Sequence, residues 1–131
     1  MAPLPLLAGF AALIPFTVPG FAPPPGAETI PSSTLVLTTA DADGGQAKTV
    51  NLHCEPAGGT HPHAQAACDE LVRADGNAQD VEDLQDVACT FDYRPVHVTV
   101  TGTWRGVQRT FDHTYPNACA MRVDTGTVFQ F

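Results

Sequence analysis

Residues 89–106 read CTFDYRPVHVTVTGTWRG, and the fold follows from how that stretch divides. Val96, Val98 and Val100 alternate with His97, Thr99 and Thr101, the period of a strand with one buried face, and Thr101-Gly102 is expected to turn the chain before Trp104. Thr103 to Phe111 then completes a hairpin. Just upstream, Thr90-Phe91-Asp92-Tyr93 is held between Cys89 and Pro95, whose ring fixes its own φ and pushes Arg94 towards an extended conformation. A buried strand would not accommodate Asp92 or Arg94, so the segment is expected to be exposed. A short extended segment, exposed and fixed at both ends, is bait for a protease.

Moving outward, Thr34 to Thr39 alternates around Leu35 and Leu37, Asp41 to Gly45 breaks the pattern, and Val50, Leu52 and Cys54 resume it two apart: a second hairpin. Pro56 to Pro62 is a Gly/Pro loop leading to Ala64, after which Ala67, Leu71 and Ala74 recur at helical spacing until Gly76 and Asn77 stop the helix. Asp80 to Asp86 is expected to hold one further helical turn through Val81 and Leu84, and Thr127 to Phe131 a final strand. Strands outnumber helices and short turns join neighbours. The pattern therefore predicts an α+β fold, a mainly antiparallel sheet covered by a short helix.

The length of 131 residues allows one ordinary domain. Met1 to Ala27 carries no charged side chain, and Leu6 to Val18 is an apolar run of signal-peptide length, too short and proline-punctuated to span a membrane comfortably. Residues 1–27 are therefore expected to be an export signal, residues 28–33 a flexible arm after the Pro23-Pro24-Pro25 run, and residues 34–131 the folded domain. The protein is expected to be secreted, with no membrane contact in its mature form. All fourteen acidic and six basic residues lie beyond Ala27, so the mature chain keeps the net charge of −8, which argues against nucleic acid or anionic membrane as partner. Seven acids fall between Asp69 and Asp86 without the ligand spacing of a calcium loop and read as a solvated face. Four cysteines in an exported chain point to two disulfides, for which three connectivities remain open.

Cys89-Thr90-Phe91-Asp92-Tyr93-Arg94-Pro95-Val96, the later TGTWRG, Asn117-Ala118-Cys119, the closing Thr127-Val128-Phe129-Gln130-Phe131 and the GTHPHAQAAC run at 59–68 recur in one arrangement. In these motifs the chain resembles the Streptomyces subtilisin inhibitor family from about Leu35 to Phe131. The family usually has Tyr-Asp-Pro-Val where this chain has Tyr93-Arg94-Pro95-Val96, and often an aliphatic or uncharged residue where this chain has Asp92. The resemblance implies a five-stranded antiparallel sheet with two short helices, disulfides Cys54–Cys68 and Cys89–Cys119, and a homodimer formed by packing sheet faces. It also implies that Phe91–Asp92 is the scissile bond of a reactive loop in which Ala88, Cys89, Thr90, Phe91, Asp92 and Tyr93 contact an extracellular subtilisin-like serine protease.

On base rates an aromatic in an apolar run is more often core than bait, but Cys89 before Phe91, Asp92 after it and Pro95 beyond favour bait. An aromatic at that position selects large apolar pockets, subtilisin-like or chymotrypsin-like, over pockets that need a cation. Asp92 either places negative charge near the developing oxyanion, holds the loop through a charge-assisted bond to Arg94 or Arg109, or is solvated and does neither; the second is the expectation. A two-Cys, two-His zinc site from His53, His61 or His63 with Cys54 and Cys68 has the wrong spacing for a finger, so disulfide plus surface histidines is the preferred reading. Catalysis lacks parts: the serines are Ser32 and Ser33 in the arm, the lone lysine is Lys48, and Asp92 with His97 has no nucleophile. Neither metal nor cofactor is expected, His97 and His113 are placed on solvent faces, and Trp104 in the core or a subunit interface. The competing reading is a secreted, non-inhibitory interaction protein, or a transglutaminase substrate or regulator, on the same scaffold.

Overall fold

The computed structural model describes residues 30–131 continuously, together with positions 3, 9, 12–15 and 20. The expected export signal and the first two residues of the arm otherwise lie outside the described residues. Strand β1 (Ser33–Asp41) pairs antiparallel with β2 (Ala47–Cys54) on one side and β4 (Val96–Trp104) on the other. A two-residue strand, β3 (Gly58–Gly59), extends the β2 edge, and β5 (Val107–Tyr115) the β4 edge, so the sheet order is β3-β2-β1-β4-β5. Helix α1 (Ala64–Arg73) follows β3, and α2 (Ala118–Thr125) follows β5. This is the expected five-stranded antiparallel sheet with two short helices.

Alternation explains the core. Leu35 and Leu37 of β1 lie opposite Leu52 and Val50 of β2, and Leu37 lies opposite Val100 of β4. With Val98 and Trp104, their inward faces meet Ala67, Cys68 and Leu71 of α1 and Met121, Val128 and Phe129 near the C-terminus. Trp104, 1% exposed, belongs to this core, not to an interface.

The hairpin at the centre turns later than its sequence suggested. Trp104 pairs with Val107, leaving Arg105 (φ 46°) and Gly106 (φ 80°) as a two-residue loop with both residues left-handed, the backbone that matches strand twist. Gly102 is instead inside β4, with φ 144° and a position where a Cβ would stand 2.1 Å from the Thr34 carbonyl oxygen. Its role is close approach between β4 and β1, which a glycine-as-turn rule mistakes for a reversal.

Three further expectations are corrected. The arm ends earlier than residue 33: Ser33 is buried and opens β1, its Oγ accepting the Arg105 N–H at 3.0 Å, and Ser32 donates its N–H to the Glu55 carbonyl at 3.2 Å. The short helical turn lies at Ala78–Asp80, while Val81 is extended and buried and the Leu84 N–H reaches the Val123 carbonyl at 2.9 Å. Thr127 to Phe131 is no strand. Its start is folded into turns, with Val128 N–H bonded to Thr125 O and Gln130 N–H to Thr127 O, both at 3.1 Å. Glu70 of α1 accepts the Thr127 N–H at 2.9 Å, and His61 holds the Val128 carbonyl at 2.8 Å, so side chains from distant sequence pin this segment onto the core.

Candidate functional site

Residues 87–95 run without helix or strand from the acidic loop into β4 and carry the most exposed aromatic side chains of the described residues, Phe91 at 104% and Tyr93 at 78%. An extended chain alternates its side chains, and here Phe91 and Tyr93 project to solvent while Thr90, Asp92 and Arg94 line a groove of about 520 Å³ behind them. The far wall is Asp41 and Asp43 of the β1–β2 turn and Asn117 at the head of α2. The site is therefore a ridge with a hollow at its back, suited to entering another protein's pocket.

Ties on both sides of Phe91 fix the ridge. Cys89 is joined to Cys119 of α2, with Cα atoms 5.7 Å apart. The Asn117 amide donates to the Thr90 carbonyl at 3.3 Å and the Asp92 carbonyl at 3.0 Å, the residues directly before and after Phe91. Beyond them, the Arg94 N–H reaches the Pro116 carbonyl at 2.8 Å, and the Pro95 carbonyl accepts the Ala42 N–H at 2.9 Å. None of these bonds uses the Phe91 N–H or the Phe91 carbonyl. Both flanks are anchored and Phe91 is held out to solvent between them.

Asn117 is the residue that sequence reasoning missed. In the sequence it stands only as part of a motif, yet its side chain does two things at once: Nδ2 spans the loop and Oδ1 accepts the Ala120 N–H at 2.8 Å, capping α2. The signal was an asparagine directly before the apolar Ala118-Cys119-Ala120-Met121 run, the residue type that caps helix N-termini. Helix α2 itself escaped the pattern because its buried residues are few, Met121 and Thr125 among eight.

Asp92 also behaves differently from expectation. Neither Arg94 nor Arg109 is its hydrogen-bond partner: its Oδ1 accepts the Thr90 hydroxyl, across Phe91. That bond, helped by the Asp92 backbone N–H and by the positive charge of Arg94, holds the Asp92 carboxyl below its ordinary value. Arg109 is engaged elsewhere, donating to the Asp75 carbonyl at 3.1 Å.

The remaining candidates fall into structural roles. Cys54 and Cys68 are joined, Cα atoms 5.6 Å apart, which removes two ligands of the zinc reading. His61 is buried, contrary to the surface placement expected for it. Its Nδ1 accepts the His63 N–H at 2.9 Å, so Nε2 carries the proton and donates to Val128 O, and burial pushes its pKa down. His97 pairs with Asp112 at 2.7 Å on a half-exposed face, and His113 is exposed. Ser33 is a buried acceptor, not a nucleophile.

Comparison with known proteins places these features. A family model described as subtilisin inhibitor-like matches residues 31–117. The protease inhibitor SIL-V1/SIL-V4 of Streptomyces netropsis is 41% identical over 105 residues, 76% of this chain and 96% of that protein. The transglutaminase-activating metalloprotease inhibitor of Streptomyces mobaraensis is 40% identical over 105 residues, 76% of this chain and 71% of its own length. Among solved structures, Streptomyces caespitosus sermetstatin in complex with Bacillus licheniformis subtilisin matches with a TM-score of 0.60 and 30% identity, covering 76% of this chain and 98% of that one.

Proposed function

The chain belongs to the subtilisin inhibitor-like family, and on that premise we propose that it is an exported inhibitor of subtilisin-like and chymotrypsin-like serine proteases with Phe91–Asp92 as its reactive bond. It is an inhibitor, not an enzyme. The observation that carries the reactive-bond assignment is the fully exposed Phe91 between two carbonyls held by one buried amide, Asn117. Its two closed disulfides fit an oxidising compartment outside the cytoplasm.

The loop already has the extended shape a protease imposes on substrates, so docking costs little ordering entropy, and seating Phe91 in an apolar pocket contributes about 1.5 to 3 kcal/mol. When the protease serine Oγ attacks the Phe91 carbonyl carbon, its proton passes through the protease histidine to the Asp92 nitrogen as the C–N bond breaks. In an ordinary substrate that amine diffuses away and water takes its place. Here Asn117 and the Cys89–Cys119 bridge keep both ends in place, so the Asp92 amine attacks the acyl carbon, its proton returns through histidine to the serine, and the peptide reforms. The protease is trapped in a reversible exchange.

The face of the sheet away from the helices, with Thr34, Val36, Thr38, Thr99, Thr101 and Thr110, is the surface we assign to a homodimer contact. Titration of the protein against subtilisin, chymotrypsin and trypsin tests the inhibitory reading: stoichiometric inhibition of the first two is expected, and Phe91→Lys should move it to trypsin. Inhibition of none, with both disulfides intact, overturns it. Rapid complete cleavage at Phe91–Asp92 without loss of protease activity would instead mark a substrate loop, the non-inhibitory reading.

A further inference from the structure

Thr90 and Asp92 are consecutive groove-facing residues of the extended loop, with the reactive peptide between them. The hydroxyl of one and the carboxylate of the other are joined directly. Asn117 binds the main-chain carbonyls of the same two residues from the scaffold side. We propose that the Thr90–Asp92 side-chain bond is a latch across the reactive bond, a positioning device that keeps the Asp92 amine against the Phe91 acyl group after cleavage. The assignment rests on the reactive-bond reading above and deepens it.

The chemistry favours this pairing over its neighbours. Asp92 shares its groove with two other carboxylates, Asp41 and Asp43, and one cation, Arg94. A carboxylate free to choose would turn towards Arg94 or to water. It bonds instead, on the groove side behind Phe91, to a neutral hydroxyl, and charge-assisted hydrogen bonds of this kind are the stronger ones. Asn117 alone restrains main-chain atoms through one amide with two donors shared between two carbonyls, the Thr90 contact being the longer at 3.3 Å. After the Phe91–Asp92 bond breaks, the covalent path between Thr90 and Asp92 is lost, and the side-chain bond is the direct link that remains between the two new ends. It opposes their separation at the step where religation competes with water. Asp92 thus becomes a tether, its ionised carboxylate held by the Thr90 hydroxyl.

The test uses the full protein with subtilisin and follows two quantities: the rate at which inhibition is lost through hydrolysis, and the ratio of cleaved to intact inhibitor at equilibrium. Thr90→Val removes the donor while keeping the side chain's shape, and hydrolysis is expected to accelerate about tenfold with the ratio moving towards the cleaved form. Asp92→Ala should do the same, the double variant should be little worse than either single one, and Asp92→Asn, whose amide oxygen still accepts, should recover part of the loss. Nuclear magnetic resonance titration provides a readout independent of any protease: in Thr90→Val the Asp92 carboxyl should move back up towards its ordinary value. Thr90→Val within twofold of the wild type in both quantities, or a double variant whose losses multiply, overturns the latch while leaving the reactive bond standing. A wild-type protein that inhibits neither subtilisin nor chymotrypsin overturns the reactive bond itself, and the latch with it.

Discussion

At the scale of single residues, the loop's behaviour depends on side chains that bond twice. Asn117 caps α2 and spans Phe91, and the two roles can be separated because serine caps a helix about as well as asparagine but is too short to reach two carbonyls. Asn117→Ser is expected to keep stability within about 0.5 kcal/mol while raising the rate of cleavage at Phe91–Asp92 severalfold. Chemical denaturation and mass measurement after brief subtilisin treatment report the two effects; unchanged cleavage would reduce Asn117 to a cap. His61 is a second such residue, linking the loop before α1 to the C-terminal turn. Its burial lowers the folded-state pKa below the ordinary 6.5, so the unfolded chain takes up this proton first as pH falls. The contribution is complete above about 6.5 and is lost as pH drops from there through the lower folded value. His61→Gln retains a donor for Val128 without titrating, and urea midpoints measured between about pH 7.5 and pH 5.5 should fall less for it than for the wild type. Equal slopes would remove His61 from the account. The exposure of Phe91 was legible because local residues mark it: a cysteine before, charge and proline after. Asn117's clamp and His61's burial were not, since each depends on partners at least 25 residues away in sequence.

At the scale of elements, both long hairpins were legible because alternation is a local property, and α1 because its apolar spacing and its Gly76-Asn77 stop are local too. What failed was punctuation. Gly102 looks like a turn residue in isolation and serves instead as the thin point where β4 passes β1, while Arg105, which does not advertise a turn, takes φ 46° because Gly106 follows it. Thr127 to Phe131 alternates like a strand but finds no strand partner, and its backbone is satisfied by Glu70, His61 and its own turns. The connection between elements that matters for function is the one from the loop to α2, closed by Cys89–Cys119 over a sequence separation of 30, against 14 for Cys54–Cys68. A longer closed loop constrains the unfolded chain more, and a bridge of this kind contributes about 2 to 4 kcal/mol. Replacing both Cys89 and Cys119 by serine should therefore lower the melting temperature yet leave β4, β5 and the Cys54–Cys68 bridge to define the sheet. In that folded variant the side of the loop before Phe91 is held by Asn117 and Thr90 alone. It should be recognised and then hydrolysed at Phe91–Asp92, giving only temporary inhibition. Persistent stoichiometric inhibition, with folding verified by circular dichroism, would transfer the restraint from the bridge to the hydrogen bonds around Asn117 and Pro95.

At the scale of the whole molecule, the two helices and the C-terminal turns cover one face of the sheet and leave the other bearing threonines around Val36, which is 37% exposed. Register places Val36 beside Asn51 and Thr101, and Thr38 beside Thr49 and Thr99, so this face is short in its side chains and uncharged at its centre. Asp112, opposite Thr99, stands towards the β5 edge of this face, and most of the chain's net charge of −8 is carried elsewhere, much of it in the run from Asp69 to Asp86. Four long strands about 4.8 Å apart and about 30 Å long present roughly 600 Å² in plan. Side-chain relief brings that near the roughly 800 Å² per partner of a standard stable interface. Two copies packed through this face would bury its threonine methyls and Val36 while leaving Phe91, on the loop that leads into the first residue of β4, clear of the contact. The expected outcome is that the purified protein sediments with twice its chain mass and that each copy still takes up one protease. Val36→Lys places a charge at the centre of the face, where pairing two copies would bury it without a partner, so this variant should sediment as a monomer. Because the loop's ties run to α2, Pro116 and the β1–β2 turn and not to Val36, the monomeric variant should still inhibit subtilisin. A wild type that sediments as a monomer at high concentration overturns the dimer assignment. A Val36→Lys monomer that no longer inhibits would show instead that the loop draws its rigidity from the partner copy.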